Sequence, residues 1–315
     1  MKLKSSRLTA AGLWMAAQVI YPGSAPSTVK NKLGFFLKCL KARSTLRKLL
    51  DGGEHHLLAQ EVAAMPKSLG FVVWPYIRSD WPMLRRFEAL SEHKQALASD
   101  MAALDVSVSA SVLIVDLADM SPGLRLVVDQ APWCLREGSL VFSLFLLEER
   151  MMSLAFSFGV LEGQRVAYVG SVQGSNIDSA LAKYREMAKD LQGMRSRDFV
   201  VKTFQFLMHH LGVKRILCVA DDYRHHRHPY FGNAKVAGLH LNYDQIWQEH
   251  AGQPTGDGWY ELVLVPVNRP MESIAAKNRA LYRRRHEMLA MIAGRIAGRF
   301  GSPIPTSEHP LRDPT

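Results

Sequence analysis

The spacing of apolar residues changes once along this chain, near residue 106, and that change limits the fold more than any other feature. Before it, "WPMLRRFEALSEHKQALASDMAAL" places Leu84, Phe87, Leu90, His93 and Leu97 three or four positions apart, the period of one helix face. After it, "VSVSASVLIVDL" alternates, which sends successive side chains to opposite faces of a strand. Helices followed by a run of strands point to an α+β fold, whose sheet lies against helices contributed from both ends of the chain.

The strand region reads as an antiparallel meander of about five strands. "LRLVVDQ" follows a Ser-Pro-Gly turn, "SLVFSLFLLEERMMSLAFSFG" is a strand pair around a Glu-Glu-Arg turn, and "QRVAYVGSVQG" ends in glycines. Helices are expected over 177–191 and 198–211, with Val200, Phe204, Leu207 and Leu211 on one stripe. The unbroken apolar run Ile216–Ala220 then predicts a buried strand. Strand, helices, strand is a crossover, so its two strands should lie parallel and adjacent. A short helix in "NYDQIWQEHAG", a strand in "WYELVLVPV" and a long basic helix over 271–299 complete the pattern.

This gives a helical N-terminal region over 1–100, an α/β domain over 101–299 and a tail over 300–315 expected to be disordered. Three widely spaced cysteines, Cys39, Cys134 and Cys218, form no CxxC pair, which argues for a reducing compartment and against a disulfide frame. The net charge of +10 is localised: residues 1–50 hold ten of the 39 Lys and Arg and no Asp or Glu. The opening "MKLKSSRLTAAGLWMAAQVIYPGSA" has the outline of a secretory signal, interrupted by Gln18. "TVKNKLGFFLKCLKARSTLRKLL" groups Val29, Leu33, Phe36 and Leu40 at helical spacing with lysines between them. Residues 28–50 can therefore lie on an anionic membrane surface, or pack on a core with the basic face solvated. No stretch reaches the length of a membrane span. The expected location is cytoplasmic, with a peripheral seat on the inner membrane as the variant.

Three stretches carry chemistry. "GMRSRDF" (193–199) puts two guanidinium groups where a helix begins, and unpaired amides there favour an anion; otherwise Asp198 simply caps that helix. "VGSVQGSN" (169–176) ends a strand in glycines, but neither loop completes a P-loop or GxGxxG. "DDYRHHRHPYFG" gathers Asp221, Asp222, Tyr223, His225, His226 and His228 at the end of the buried strand, a store of general acids and bases. His225 and His228 are spaced to share an ion, yet histidines beside arginines usually form a solvated loop, and no metal is expected. GxSxG and HExxH are both absent, and Cys218 lies inside an apolar strand as a structural thiol. No nucleic-acid-reading signature occurs, so that partner is not expected.

In order, "YVGSVQG", "GMRSRDF", "NYDQIWQEHAG", "DGWYEL" and "KNRALYRRRHEML" resemble the VirK/YbjX family of bacterial proteins over about residues 20–297. Gly193 and Arg195 match that family's loop, while Ser196 and Arg197 stand where Pro and Lys are usual. Tyr243, Asp244, Trp247, Asp257, Gly258 and Tyr260 also match, as does His93, followed here by Lys94. The resemblance implies a Gram-negative protein of envelope or virulence physiology and implies no chemistry. The order of elements is similar to GNAT-type acyltransferases, which hold the pyrophosphate of acyl-CoA at a helix start. On that likeness Gly193, Arg195 and Arg197 bind the pyrophosphate, and Val172, Gln173 and Gly174 polarise the thioester. Asp222, Tyr223 or His225 removes the acceptor's proton. The alternative is a non-catalytic factor that binds lipid or RNA and assists surface protein display.

Overall fold

The computed structural model describes residues 8–51, 56–106, 110–177, 179–232, 236, 238 and 241–300. The expected tail beyond residue 300 and the first seven residues of the signal-like segment lie outside these. The period change near residue 106 separates five helices from the first strand, as expected. These are α1 (Ala10–Ile20), α2 (Pro26–Lys41), α3 (Arg43–Asp51), α4 (His56–Ala64) and α5 (Met83–Ala98).

The strands β1 (Ser111–Asp116), β2 (Leu124–Asp129), β3 (Leu140–Leu146), β4 (Glu149–Leu161) and β5 (Gln164–Gly174) form the antiparallel meander. The β3–β4 turn is Leu147–Glu148, with Leu147 at φ 54, so the hairpin is tighter than Glu-Glu-Arg. Helices α6 (Ala180–Asp190) and α7 (Ser196–His210) carry the chain to β6 (Arg215–Val219), which pairs parallel with β5. After α8 (Tyr243–Glu249) come β7 (Gln253–Pro254) and β8 (Trp259–Leu262), then α9 (Ala276–Phe300). The eight strands lie in the order β1-β2-β3-β4-β5-β6-β8-β7, so the fold is α+β with one mixed, largely antiparallel sheet.

Burial explains where the elements stop. The strand predicted through residue 267 ends at Leu262, because its outer neighbour β7 is two residues long; Val263, Val265 and Val267 are exposed. In contrast β4 is buried from Met151 through Gly159, so both its faces are covered. Helix α5 packs on β4, and α7 packs across β3, β4 and β5, setting Phe204 against Phe142 and Phe156 at ring separations of 5.8 and 5.0 Å. One core runs from Leu13 and Phe35 in the N-terminal helices through the sheet to Ile292 in α9.

Helix α2 corrects the expected stripe. Its buried residues are Phe35 and Cys39, while Val29 and Leu33 are exposed and Phe36 and Leu40 half-buried. Apolar residues span more than one face of this helix, and the core takes the side on which Phe35 meets Tyr21. Among the described residues no helix is long and apolar enough to cross a membrane.

Candidate functional site

The "GMRSRDF" stretch opens α7, as its composition suggests. Gln192 and Gly193 both have positive φ, 52° and 71°, which reverses the chain between α6 and α7. Arg285 of α9 pins the turn, donating from Nε to the Gln192 carbonyl at 2.6 Å and from Nη2 to the Gly193 carbonyl at 2.7 Å. Arg195, not Asp198, holds the capping position and has no side-chain cap bond; Asp198 stands in the first turn. Neither arginine is idle: Arg195 donates to Asp198 at 2.7 Å and to Glu249 at 2.8 Å, and Arg197 also bonds Glu249. Burial alone would raise the Asp198 carboxyl, but His250, 3.4 Å away, and Arg195 outweigh it and hold the acid at about 2.

The glycine-ended strand meets this turn in space. Val172 and Gly174 border a cavity of about 440 Å³ that Arg195, Ser196 and Arg197 also line, with Met152, Ala188 and Leu241 among its apolar walls. Gln173, the alternate residue, faces a second and more polar cavity of about 480 Å³ with Trp133, Arg150, Ser153 and Asn176. Gly174 borders both. Of the predicted cofactor residues, Val172, Gly174, Arg195 and Arg197 therefore share one cavity, and Gly193 sets the turn beside it.

The opening between β5 and β6 is built by a short pairing and one tyrosine. The parallel ladder covers only Val166–Val169 against Arg215–Cys218, while β5 runs on to Gly174. At Val172 the Tyr243 hydroxyl accepts from the backbone N–H at 3.2 Å and lies 3.4 Å from the backbone carbonyl. Trp247, one turn later, is fully buried and donates to the Val219 carbonyl at 2.8 Å; Asp244 accepts from the Asp221 N–H at 2.7 Å. These aromatic and acidic positions thus lock α8 to the end of β6.

Behind Gln173 lies a buried carboxylate that the sequence reading passed over. Glu137 enters from the segment before β3, and the backbone of β5 bulges at Gly170 to receive it: a Cβ on Gly170 would stand 1.9 Å from the Glu137 carbonyl oxygen. Ser171 donates to Glu137 Oε2 at 2.9 Å and Gln173 Nε2 bonds the same oxygen, leaving Oε1 3.4 Å from His225 Nε2. Burial pushes Glu137 up to about 7, against the opposing influence of Cys134, Ser171 and Arg224. The only signal in the sequence was a lone acid, followed by Gly138, at the entrance of an apolar strand.

The three predicted proton acceptors diverge. His225 is buried against Glu137, with the His226 ring 3.7 Å away. Tyr223 lies under the Arg78 guanidinium at 4.5 Å, and the Asp222 side chain is 87% exposed. His228 is used locally: its Nδ1 accepts from the Tyr230 N–H at 3.1 Å, and its Nε2 lies 3.3 Å from Arg86. The group of three among the described residues able to hold a metal is Glu137, His225 and His226, with ligand atoms within 4.8 Å of one another, and His228 is not part of it. His93 is buried against Phe158, whose N–H it accepts at 3.2 Å, and burial lowers it to about 3, so it is a neutral core residue.

The model of the family described as a protein of unknown function (DUF535) matches residues 25–298. The chain belongs to that family. Its curated relatives include an uncharacterized protein of Haemophilus influenzae, 29% identical over 145 residues, 46% of this chain and 47% of that one. The uncharacterized protein YbjX of Escherichia coli is 24% identical over 150 residues, 48% of this chain and 45% of that one. The chain thus spans about half the length of these two relatives, and their family is the one that the ordered motifs resembled. A second H. influenzae protein, also uncharacterized, is 25% identical over 217 residues, 69% of this chain and 70% of that one. No solved structure matches.

Proposed function

We propose that the chain is a GNAT-like, acyl-CoA-dependent acyltransferase acting on an amine or hydroxyl in bacterial envelope physiology. The observation that carries this reading is the cavity between the end of β5 and the start of α7, whose lining is almost wholly apolar and whose wall includes Arg195, Ser196 and Arg197 at the start of that helix. The apolar lining suits the acyl chain, and the start of α7 in its wall suits the pyrophosphate of acyl-CoA. The first amides of α7 and its dipole favour the anion. Glu249 and Asp198 stand in for it by occupying the two guanidinium groups until it arrives.

The acceptor enters the polar cavity over Gln173, so the two substrates meet at Gly174. The acceptor's nitrogen or oxygen attacks the thioester carbonyl, the C–S bond breaks, and CoA leaves as thiolate and then takes up a proton. The acceptor's proton passes by way of water to Glu137, which is buried behind Gln173 outside the cavity lining. Its pKa near neutrality suits a general base, and His225 backs it at 3.4 Å. Asp222 and Tyr223 are not needed in this scheme. Because acyl-CoA is a cytoplasmic metabolite, the reading places the chain on the cytoplasmic side of the envelope.

The test is calorimetric titration with CoA and acyl-CoA. Wild-type protein should bind both, and Arg195→Ala with Arg197→Ala should weaken binding about ten- to a hundredfold, the loss expected for one or two charge-assisted hydrogen bonds. Glu249→Gln should tighten it by removing the charge that both guanidinium groups share, although Arg195 keeps its bond to Asp198. Glu137→Gln should bind CoA as wild type does and release no thiol from acyl-CoA with any acceptor. Wild-type protein that binds neither CoA nor acyl-CoA removes the reading.

A further inference from the structure

We propose that α1 and α2 together form a docking face for an anionic lipid surface. The proposal is independent of the acyl-transfer reading. Helix α1 buries Leu13, Ala16, Ala17 and Ile20 and turns Trp14, Met15 and Val19 outward. Helix α2 packs beside α1, with the Trp14 and Phe36 rings edge to face at 5.7 Å, and turns Val29, Leu33 and Leu37 outward at four-residue spacing. These six outward residues are between 37 and 61% exposed. Isolated exposed apolar residues need no explanation, but six large ones on two adjoining helices form a patch of the kind that marks an interaction site.

Charge identifies the occupant. Lys41 continues the Val29, Leu33, Leu37 stripe at the same spacing, and Lys30 adjoins it three residues before Leu33, both exposed. Arg47 and Lys48 on α3 add two more exposed cations, and no Asp or Glu occurs anywhere in residues 1–50. A protein partner would ordinarily meet a mixed rim of both signs. An apolar centre on helices that carry cations and no acid instead fits acyl chains under anionic headgroups, with the lysine stems lying along the apolar surface and their ammonium groups at the headgroup level. The face therefore seats the helices in the interface plane and does not span the bilayer.

Co-sedimentation of the full chain with vesicles of equal parts phosphatidylglycerol and phosphatidylethanolamine tests this, with phosphatidylcholine vesicles as the neutral control. Binding should require the anionic lipid and weaken as salt shortens the Debye length. Lys30→Gln with Lys41→Gln should weaken partitioning by about thirtyfold at low salt. Leu33→Gln with Leu37→Gln should abolish it while leaving the far-UV spectrum unchanged, since both side chains are exposed. Trp14 emission should shift to the blue on binding, a change lost in Trp14→Phe. Sedimentation with neither vesicle, equal sedimentation with both, or a wild-type dimer that the leucine variants dissolve would overturn the proposal. Salt-sensitive capture of an RNA oligomer retained by the leucine variants would do so as well.

Discussion

Single residues in this protein act chiefly by where burial leaves their polar atoms. Tyr243 is buried and its hydroxyl sits on one peptide, that of Val172, at the point where β5 parts from β6. Tyr243→Phe leaves that N–H without a partner away from water, which costs about 1–3 kcal/mol; urea denaturation should show a lower midpoint with an unchanged slope. Glu137 makes a pH prediction. Its folded value of about 7 exceeds the ordinary 4.5, so the fold favours the protonated acid. Its contribution to stability is complete below pH 4.5 and is lost as pH rises towards 7. The groups facing it are Cys134, Arg224, His225 and His226. Thermal midpoints measured across that window should fall for wild type and stay flatter for Glu137→Gln.

At the scale of elements, the β5 bulge is the feature on which the site depends. It exists because the Glu137 backbone presses against Gly170, and no side chain fits there. Gly170→Ala should push the Glu137 segment off the strand at a cost of about 1–3 kcal/mol, the range for overpacking a tight contact. It should also return the pH dependence of stability towards that of Glu137→Gln, because the carboxylate loses Ser171 and Gln173 together. Helix α7 shows how a site lies in an element's position more than in its own residues. Its sequence predicts an amphipathic helix with an anion-ready start, and that start becomes a cavity wall only because β5 overruns β6 by several residues.

Across the whole molecule the N-terminal helices and the sheet share one core. Trp74 donates to the Tyr21 hydroxyl at 2.9 Å, Phe71 packs on Tyr76 at a ring separation of 4.5 Å, and Tyr76 bonds Ser157 on β4 at 2.7 Å. This chain of contacts links α1 to the centre of the sheet. Unfolding should therefore be a single cooperative transition, with tryptophan emission and far-UV signal changing together. Two separated transitions would show that the helical layer melts on its own.

The period change, the five-strand meander, the parallel crossover and the helix behind "GMRSRDF" were all legible in the residues, because local periodicity is set by which side chains must alternate between core and water. The extent of burial on α2 was not legible, since apolar residues on two sides of a helix leave its orientation to whatever packs against it. Nor was Glu137, which lies 34 positions from Ser171 and 36 from Gln173, the partners that make it a site. The divergence of Asp222, Tyr223 and His225 has the same cause. Asp222 and Tyr223 end one 3₁₀ segment and His225 begins the next, so their side chains point in different directions, and only packing decides which meets a partner from another strand.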